Sequence, residues 1–322
     1  MKTARTLALL ALCYVVVPLA LGDNHYVISL IVAALTIGGI ALAWAMLGNL
    51  GGMVSFGHAA FFGVGSYASA LLSMKAGWPI FPAMIAAGVA ASVASIATMP
   101  ALRLRGPYFA LAILAYAEIF RILATELKWL TGGAAGILSI PRLPVIFGVD
   151  FGTKVGGYFV VVTLVLATVG VYHLIRRSPQ GLALKAMHDS EDATRVVGVN
   201  ATMLKALMLL VSAFFTGLMG AFNAHYINFL EPDYAFAGQW TTLAIVSAIF
   251  GGYRTLYGPL VGAVMVYLVD QLVFKPILPQ GHQLILGALL GAMVLFSPGG
   301  LMPWLMAWPK KRIRKEVAHA QA

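Results

Sequence analysis

An all-α polytopic membrane protein of about ten transmembrane helices, some short or broken, with both termini cytoplasmic, is the fold this sequence predicts. Three observations carry that expectation. Of 322 residues, 61% are hydrophobic and 10% charged, whereas ordinary soluble domains carry about 25% charged residues. The mean hydropathy is +0.90, which excludes a soluble globule and, with abundant Leu, Ile, Val and Phe, also excludes disorder. The basic residues that give the net charge of +10 sit at the ends of apolar runs, the pattern of the positive-inside rule rather than of a nucleic-acid-binding face.

A span needs roughly 20 apolar residues. Candidate spans run over about 7–21, 26–47, 58–73, 79–101, 107–125, 156–175, 204–227, 239–252, 257–275 and 282–297. With the N-terminus inside, 15 Lys and Arg fall on the cytoplasmic side and six on the other. That asymmetry favours two cytoplasmic termini and an even span count. Lys2 and Arg5 precede the first apolar run as in a secretory signal, but no soluble segment follows, so the run reads as an uncleaved span. The expected organisation is one transmembrane domain over 1–310 and a basic cytoplasmic tail over 311–322.

Three stretches interrupt the apolar helices. Residues 48–57 are too glycine-rich for a plain helix, and irregular backbone at membrane depth is tolerated only inside protein or along a cavity. They form a candidate re-entrant or broken segment. Residues 126–155 form the longest outside segment, containing Thr131, Gly132 and Gly133. About 178–203 is the longest cytoplasmic one. Glycine pairs four apart (48/52, 132/136, 258/262, 287/291) permit close helix approach, and a faint likeness of 57–67 to 258–267 hints at an internal repeat.

Several chemistries are missing from the sequence. No Gly-Lys dipeptide occurs, so no P-loop for ATP is available. The seven His residues show no metal-ligand spacing, and Cys13 stands alone. No cofactor, metal site or catalytic residue is expected.

Polar residues inside spans carry the information, since a charge at a helix centre costs about 2.5–3.5 kcal/mol on insertion scales. Glu118 and Arg121 lie three apart on one helical face, with Glu118 about 16 Å along its helix at 1.5 Å per residue. They read either as the polar wall of a path or as an ion pair that fixes packing. Asp270 and His58 are weaker cases of the same kind. His225 and Glu231-Pro232-Asp233 fall at the outer boundary, where polarity is unremarkable.

Several stretches, in order, resemble the LivM-type permease subunits of branched-chain amino acid ABC importers. They are Ser55–Tyr67, Leu104–Leu111, Ala117–Arg121 with Leu130–Gly133, Ser178–Gly181 with Asp189–Ala193 and Gly198–Asn200, Gly251-Gly252, Tyr257–Pro259 and Phe296–Leu301. Met53, Arg254, Asp192 and Thr194 depart from the usual pattern. The resemblance implies a non-catalytic subunit in the bacterial inner membrane that pairs with a second, LivH-like permease. Two cytoplasmic ABC ATPases would hydrolyse ATP, and a periplasmic binding protein would deliver substrate. Relatives of this broad kind carry branched-chain amino acids, urea, amides or aromatic acids.

On this reading Glu118, Arg121, Thr131, Gly132, Gly133, Ser55 and His58 border the substrate path. Asp189, Glu191, Asp192, Ala193, Val197 and Gly198 belong to a short cytoplasmic helix that couples to an ATPase. Acidic residues suit its start, Gly198 suits its end, and one and a half turns need a partner to be stable. The competing readings are an ion-coupled secondary transporter, for which Glu118 and Asp270 are the available acids, a structural membrane scaffold, and for 178–203 a solvated loop.

Overall fold

The computed structural model describes residues 12–104, 106–146, 148–297 and 299–302. Lys2, Arg5, Arg105, Pro298 and the basic tail over 311–322 lie outside them, as do the side chains of Asp192 and Ala193.

Helix α1 (His25–Ala45) starts where Asn24 accepts the Val27 N–H at 3.2 Å, an N-cap that supplies one of the helix's missing acceptors. It runs into a π-turn, Met46–Leu50. The helical chain then ends: Gly52 takes φ +66°, and 53–57 have no helical hydrogen bonding. Helix α2 (His58–Lys75) resumes beyond this break. There follow α3 (Ile80–Ile96), α4 (Pro107–Glu126), α5 (Lys154–Arg177), α6 (Pro179–Asp189), α7 (Glu191–Val196) and α8 (Ala201–Ile227). The last three are α9 (Gly238–Gly251), α10 (Gly258–Val269) and α11 (His282–Phe296). A further π-turn, Asp270–Phe274, carries α10 on to Ile277.

Among the described residues, five helical stretches are long and apolar enough to cross a membrane: His25–Leu50, α4, α5, α8 and Gly258–Ile277. Helix α3 and His282–Met293 are apolar but shorter. The protein is therefore a mostly helical, multi-pass membrane protein. Helices satisfy their own backbone groups, which is why they serve as spans where water is absent.

Helix α8 packs along α2 and α3, α10 along α1 and α9, and α5 along α1. Glycines set these crossings. A Cβ at Gly65 would collide with the backbone of Gly217, and Gly258 and Gly262 meet the backbone of α9 at Gly251 and Ser247. By contrast, Gly287 and Gly291 face open space, so that spacing does not mark a helix contact here. Gly65→Leu is expected to abolish recovery of folded protein, because a backbone cannot move aside as a side chain can. Gly170→Leu, at a site with nothing within 4 Å, should purify as the parent does. Size-exclusion profiles of the detergent-solubilised proteins compare the two.

Three features differ from the sequence expectation. The all-α description needs four two-residue strands: β1 (Ile137–Leu138) pairs antiparallel with β4 (Phe229–Leu230), and β2 (Val145–Ile146) with β3 (Val149–Asp150). Residues 126–155 are thus strapped to the 228–231 turn. Pro179 and Gly181 read in the sequence as breaking the incoming helix, but Pro179 starts a new one, with Ser178 Oγ accepting the Gly181 N–H at 3.1 Å. The proline lacks only an N–H that the first turn leaves unpaired. Finally, α9 begins inside the bundle, where Thr241 Oγ1 accepts the Ala59 N–H at 2.8 Å.

Candidate functional site

The broken segment enters the bundle from the end that carries 177–200: Gly52 lies beside His188, whereas His58 reaches Ser212. Ser212 is about 16 Å from the start of α8 at 1.5 Å per residue. The extended chain therefore climbs to the middle of the bundle before α2 begins. Trp44 Nε1 donates to Ser55 O at 2.8 Å and Gly57 N to Ser55 Oγ at 3.3 Å, which holds the climb in place. The Ser212 hydroxyl donates to Ala43 O and lies 2.8 Å from His58 Nε2. With the serine proton used in this way, His58 carries its proton on Nε2.

Ser55 and His58 are fully buried. They anchor the segment, and the residues on either side of Ser55, Val54 and Phe56, face a cavity of about 640 Å³. Leu104, just ahead of α4, and Pro107 and Leu111 from its first turns, together with Glu191 and Lys205, line it as well. The cavity thus joins the broken segment, α4 and α7.

Helix α4 buries Ala110, Ile113 and Ala117, and leaves Leu111, Leu114, Ile119, Ile122 and Leu123 exposed. Its polar pair lies on that open side. Arg121 Nη2 contacts Glu118 Oε1 at 2.5 Å, Nε lies 3.1 Å from both Glu118 oxygens, and Nη1 reaches Asp233 Oδ1 at 2.7 Å. Asp233 belongs to the short helix Pro232–Ala235, which packs against α2 and α4. The sequence placed Glu118 and Arg121 together but read Asp233 as an ordinary boundary residue. No local pattern links positions 112 apart.

At the end of α4, the Thr131 hydroxyl bonds the carbonyls of Ala124 (2.6 Å) and Leu127 (2.9 Å). Gly132, Gly133 and Gly136 all take positive φ, and a Cβ at Gly136 would strike Leu230 O. Lys75 Nζ donates to the carbonyls of Trp129 and Leu130. The Thr131–Gly133 turn is thereby tied, through β1 and β4, to the chain that carries Asp233.

Helix α7 follows Asp189 and Ser190 at the opposite end. Glu191 bonds Arg195 and Lys205, each at 2.7 Å, which fixes α7 on α8. Thr194 is buried, whereas Val196 and Val197 are 87% and 76% exposed. Gly198 turns the chain out at φ +86°. A fixed six-residue helix with bare valines at its tip is a projecting element.

A multi-pass membrane protein with a helix broken at mid-bundle, an open polar face and a projecting loop-end helix has the parts of a transport permease. Residues 26–298 match the family described as "Branched-chain amino acid transport system / permease component", and the chain belongs to that family. It is of the LivM type. It is 30% identical over 298 residues to the high-affinity branched-chain amino acid transport system permease protein LivM of Salmonella typhimurium, covering 85% of this chain and 68% of the relative. Identity to LivM of Escherichia coli is 29%, with the same coverage. The chain is also 21% identical to LivH of Escherichia coli over 286 residues, covering 82% of this chain and 90% of that one. No solved structure matches.

Proposed function

We propose that this chain is one of two permease subunits of an ATP-driven importer that carries branched-chain amino acids across the bacterial inner membrane. The observation that carries this reading is the Glu118–Arg121–Asp233 cluster on the open face of α4. Charges facing lipid at that depth are expensive, so a second permease or a water-filled path covers the face. Similarity to both LivM and LivH supports a homologous partner, LivH-like. The path then runs from the Thr131–Gly133 turn past Glu118 and Arg121 to the cavity under Val54 and Phe56. Ser55 and His58 hold its broken wall.

On this reading the single transmembrane domain of 1–310 makes about ten spans with both termini cytoplasmic. The end bearing 177–200 is the cytoplasmic one. Two ABC ATPases dock there, and Asp189, Glu191, Asp192, Ala193, Val197 and Gly198 make up the coupling element. A periplasmic binding protein delivers cargo at the other end. The subunit itself is not an enzyme. The physical requirement is a two-state membrane element biased from both ends.

The test is reconstitution of the chain with partner permease, ATPases and binding protein in liposomes. Leucine, isoleucine and valine should enter only with ATP and all components. Uptake by this chain alone under an ion gradient would overturn the proposal, and so would ATP-driven uptake of urea or aromatic acids with none of the three aliphatic amino acids.

A further inference from the structure

A second cavity, of about 740 Å³, lies within this one chain, between α1, α8, α9, α10 and α11. It is lined by none of the residues of the α4 face. Asp270 borders it and is only 3% exposed. Its Oδ2 accepts Gln271 Nε2 at 3.3 Å, and its Oδ1 is buried with no hydrogen-bond partner among the described residues. A buried carboxylate oxygen left unpaired is costly, and the residue that carries it lines the cavity.

The backbone explains the placement. In an α-helix, residues five apart point about 140° away from each other, from 3.6 residues per turn. Asp270–Phe274 is a π-turn, in which the Lys275 N–H bonds Asp270 O. An i→i+5 turn stacks such residues on one side, so Asp270 and Lys275 both line the cavity. They do not pair with each other; Gln271 lies between them, accepting from Lys275 Nζ at 3.3 Å. His282 lines the cavity beside them, and Val32, Val246 and Leu286 give it an apolar wall.

We infer that this cavity is a binding site for a small aliphatic α-amino acid, held as a zwitterion. The ammonium group pairs with the Asp270 carboxylate, the carboxylate faces Lys275 and His282, and the side chain lies against the valine and leucine wall. Such a ligand supplies both missing charges at once, which neither an amine nor a carboxylic acid does. The ligand class coincides with the cargo proposed above, so the inference rests partly on that reading. The site differs, because it lies inside one subunit and away from the inter-subunit face.

The experiment is equilibrium binding of radiolabelled L-leucine to the assembled transporter in phosphatidylcholine nanodiscs, without ATP or binding protein. Saturable binding is expected, with 3-methylbutylamine and 4-methylpentanoate each competing at least about tenfold more weakly than leucine. Asp270→Asn and the rim variant Lys275→Gln should each weaken leucine binding about tenfold or more, while Gly170→Leu, at an open position on α5, retains it. Absence of saturable binding in the parent, or unchanged affinity in a folded Asp270→Asn or Lys275→Gln protein, overturns the inference. So does loss of leucine binding when phosphatidylethanolamine is added, which would identify a lipid headgroup as the occupant. ATP-driven leucine uptake without this binding would leave the importer reading standing and remove the site. Asp270-dependent binding without ATP-driven uptake would do the reverse.

Discussion

Arg121→Gln is expected to lower ATP-driven leucine uptake by roughly a hundredfold while membrane insertion stays normal. The guanidinium joins two carboxylates, Glu118 on its own helix and Asp233 from the turn after α8. Removing it leaves two like charges facing each other on a surface that the assembled transporter covers, and an uncompensated charge in such a setting is strongly unfavourable. Glu118→Gln or Asp233→Asn removes one of two partners, so each should lose less, about tenfold, because the other carboxylate remains paired. The sequence alone suggests that the swap Glu118→Arg with Arg121→Glu should restore the pair. The geometry predicts otherwise, since the carboxylate introduced at position 121 would lie against Asp233. Rescue should need the third change, Asp233→Asn. Vesicle uptake assays of the five proteins read this directly. Equal uptake in Arg121→Gln and the parent disposes of any role in the path, and equal loss of folded protein and of uptake leaves only a packing role.

Much of this architecture is written in local pattern. The apolar runs mark the helices, the glycine-rich stretch at 48–57 marks the break, and Glu118 with Arg121 at three-residue spacing marks one face of α4. What sequence pattern does not carry is pairing across long separations. The third member of the charge cluster, Asp233, comes from 112 residues away. The histidine at 58 reads as a polar residue near a span end, yet it is completely buried and bonds Ser212, whose hydroxyl in turn donates to Ala43 O. Ser55 is similar: alternation along an extended chain turns Val54 and Phe56 to the cavity and Ser55 inward. The π-turns at Met46–Leu50 and Asp270–Phe274 leave no compositional trace either. At Asp270 that matters most, because the five-residue spacing to Lys275 looks unrelated on an ideal helix.

Val196→Asp combined with Val197→Asp is expected to abolish ATPase co-purification and substrate-stimulated ATP hydrolysis, with the permease still folded. The two valines are among the most exposed large apolar side chains outside the spans, and they sit on a helix too short to be stable by itself. Glu191 fixes that helix to α8 through Lys205, and α6, which buries Leu184 and Met187, packs against it. The support lies behind the tip, so changing the tip should not disturb the permease. Aspartates there would bring desolvated charge into an apolar cleft. Gly198→Val acts by a different route. Nothing lies within 4 Å of the Cβ position, but φ is +86°, and a β-branched residue there costs about 1–3 kcal/mol in backbone strain. The turn should relax and tilt α7, weakening coupling partially, whereas Gly198→Asn, which tolerates positive φ better, should retain most of it. A bulky residue at Ala193 is expected to act like the valine changes. Normal ATPase binding and uptake in the double aspartate variant would show that α7 only joins α6 to α8. A graded series, with the double aspartate worst, Gly198→Val intermediate and Gly198→Asn near the parent, is the signature of a helix that couples by insertion.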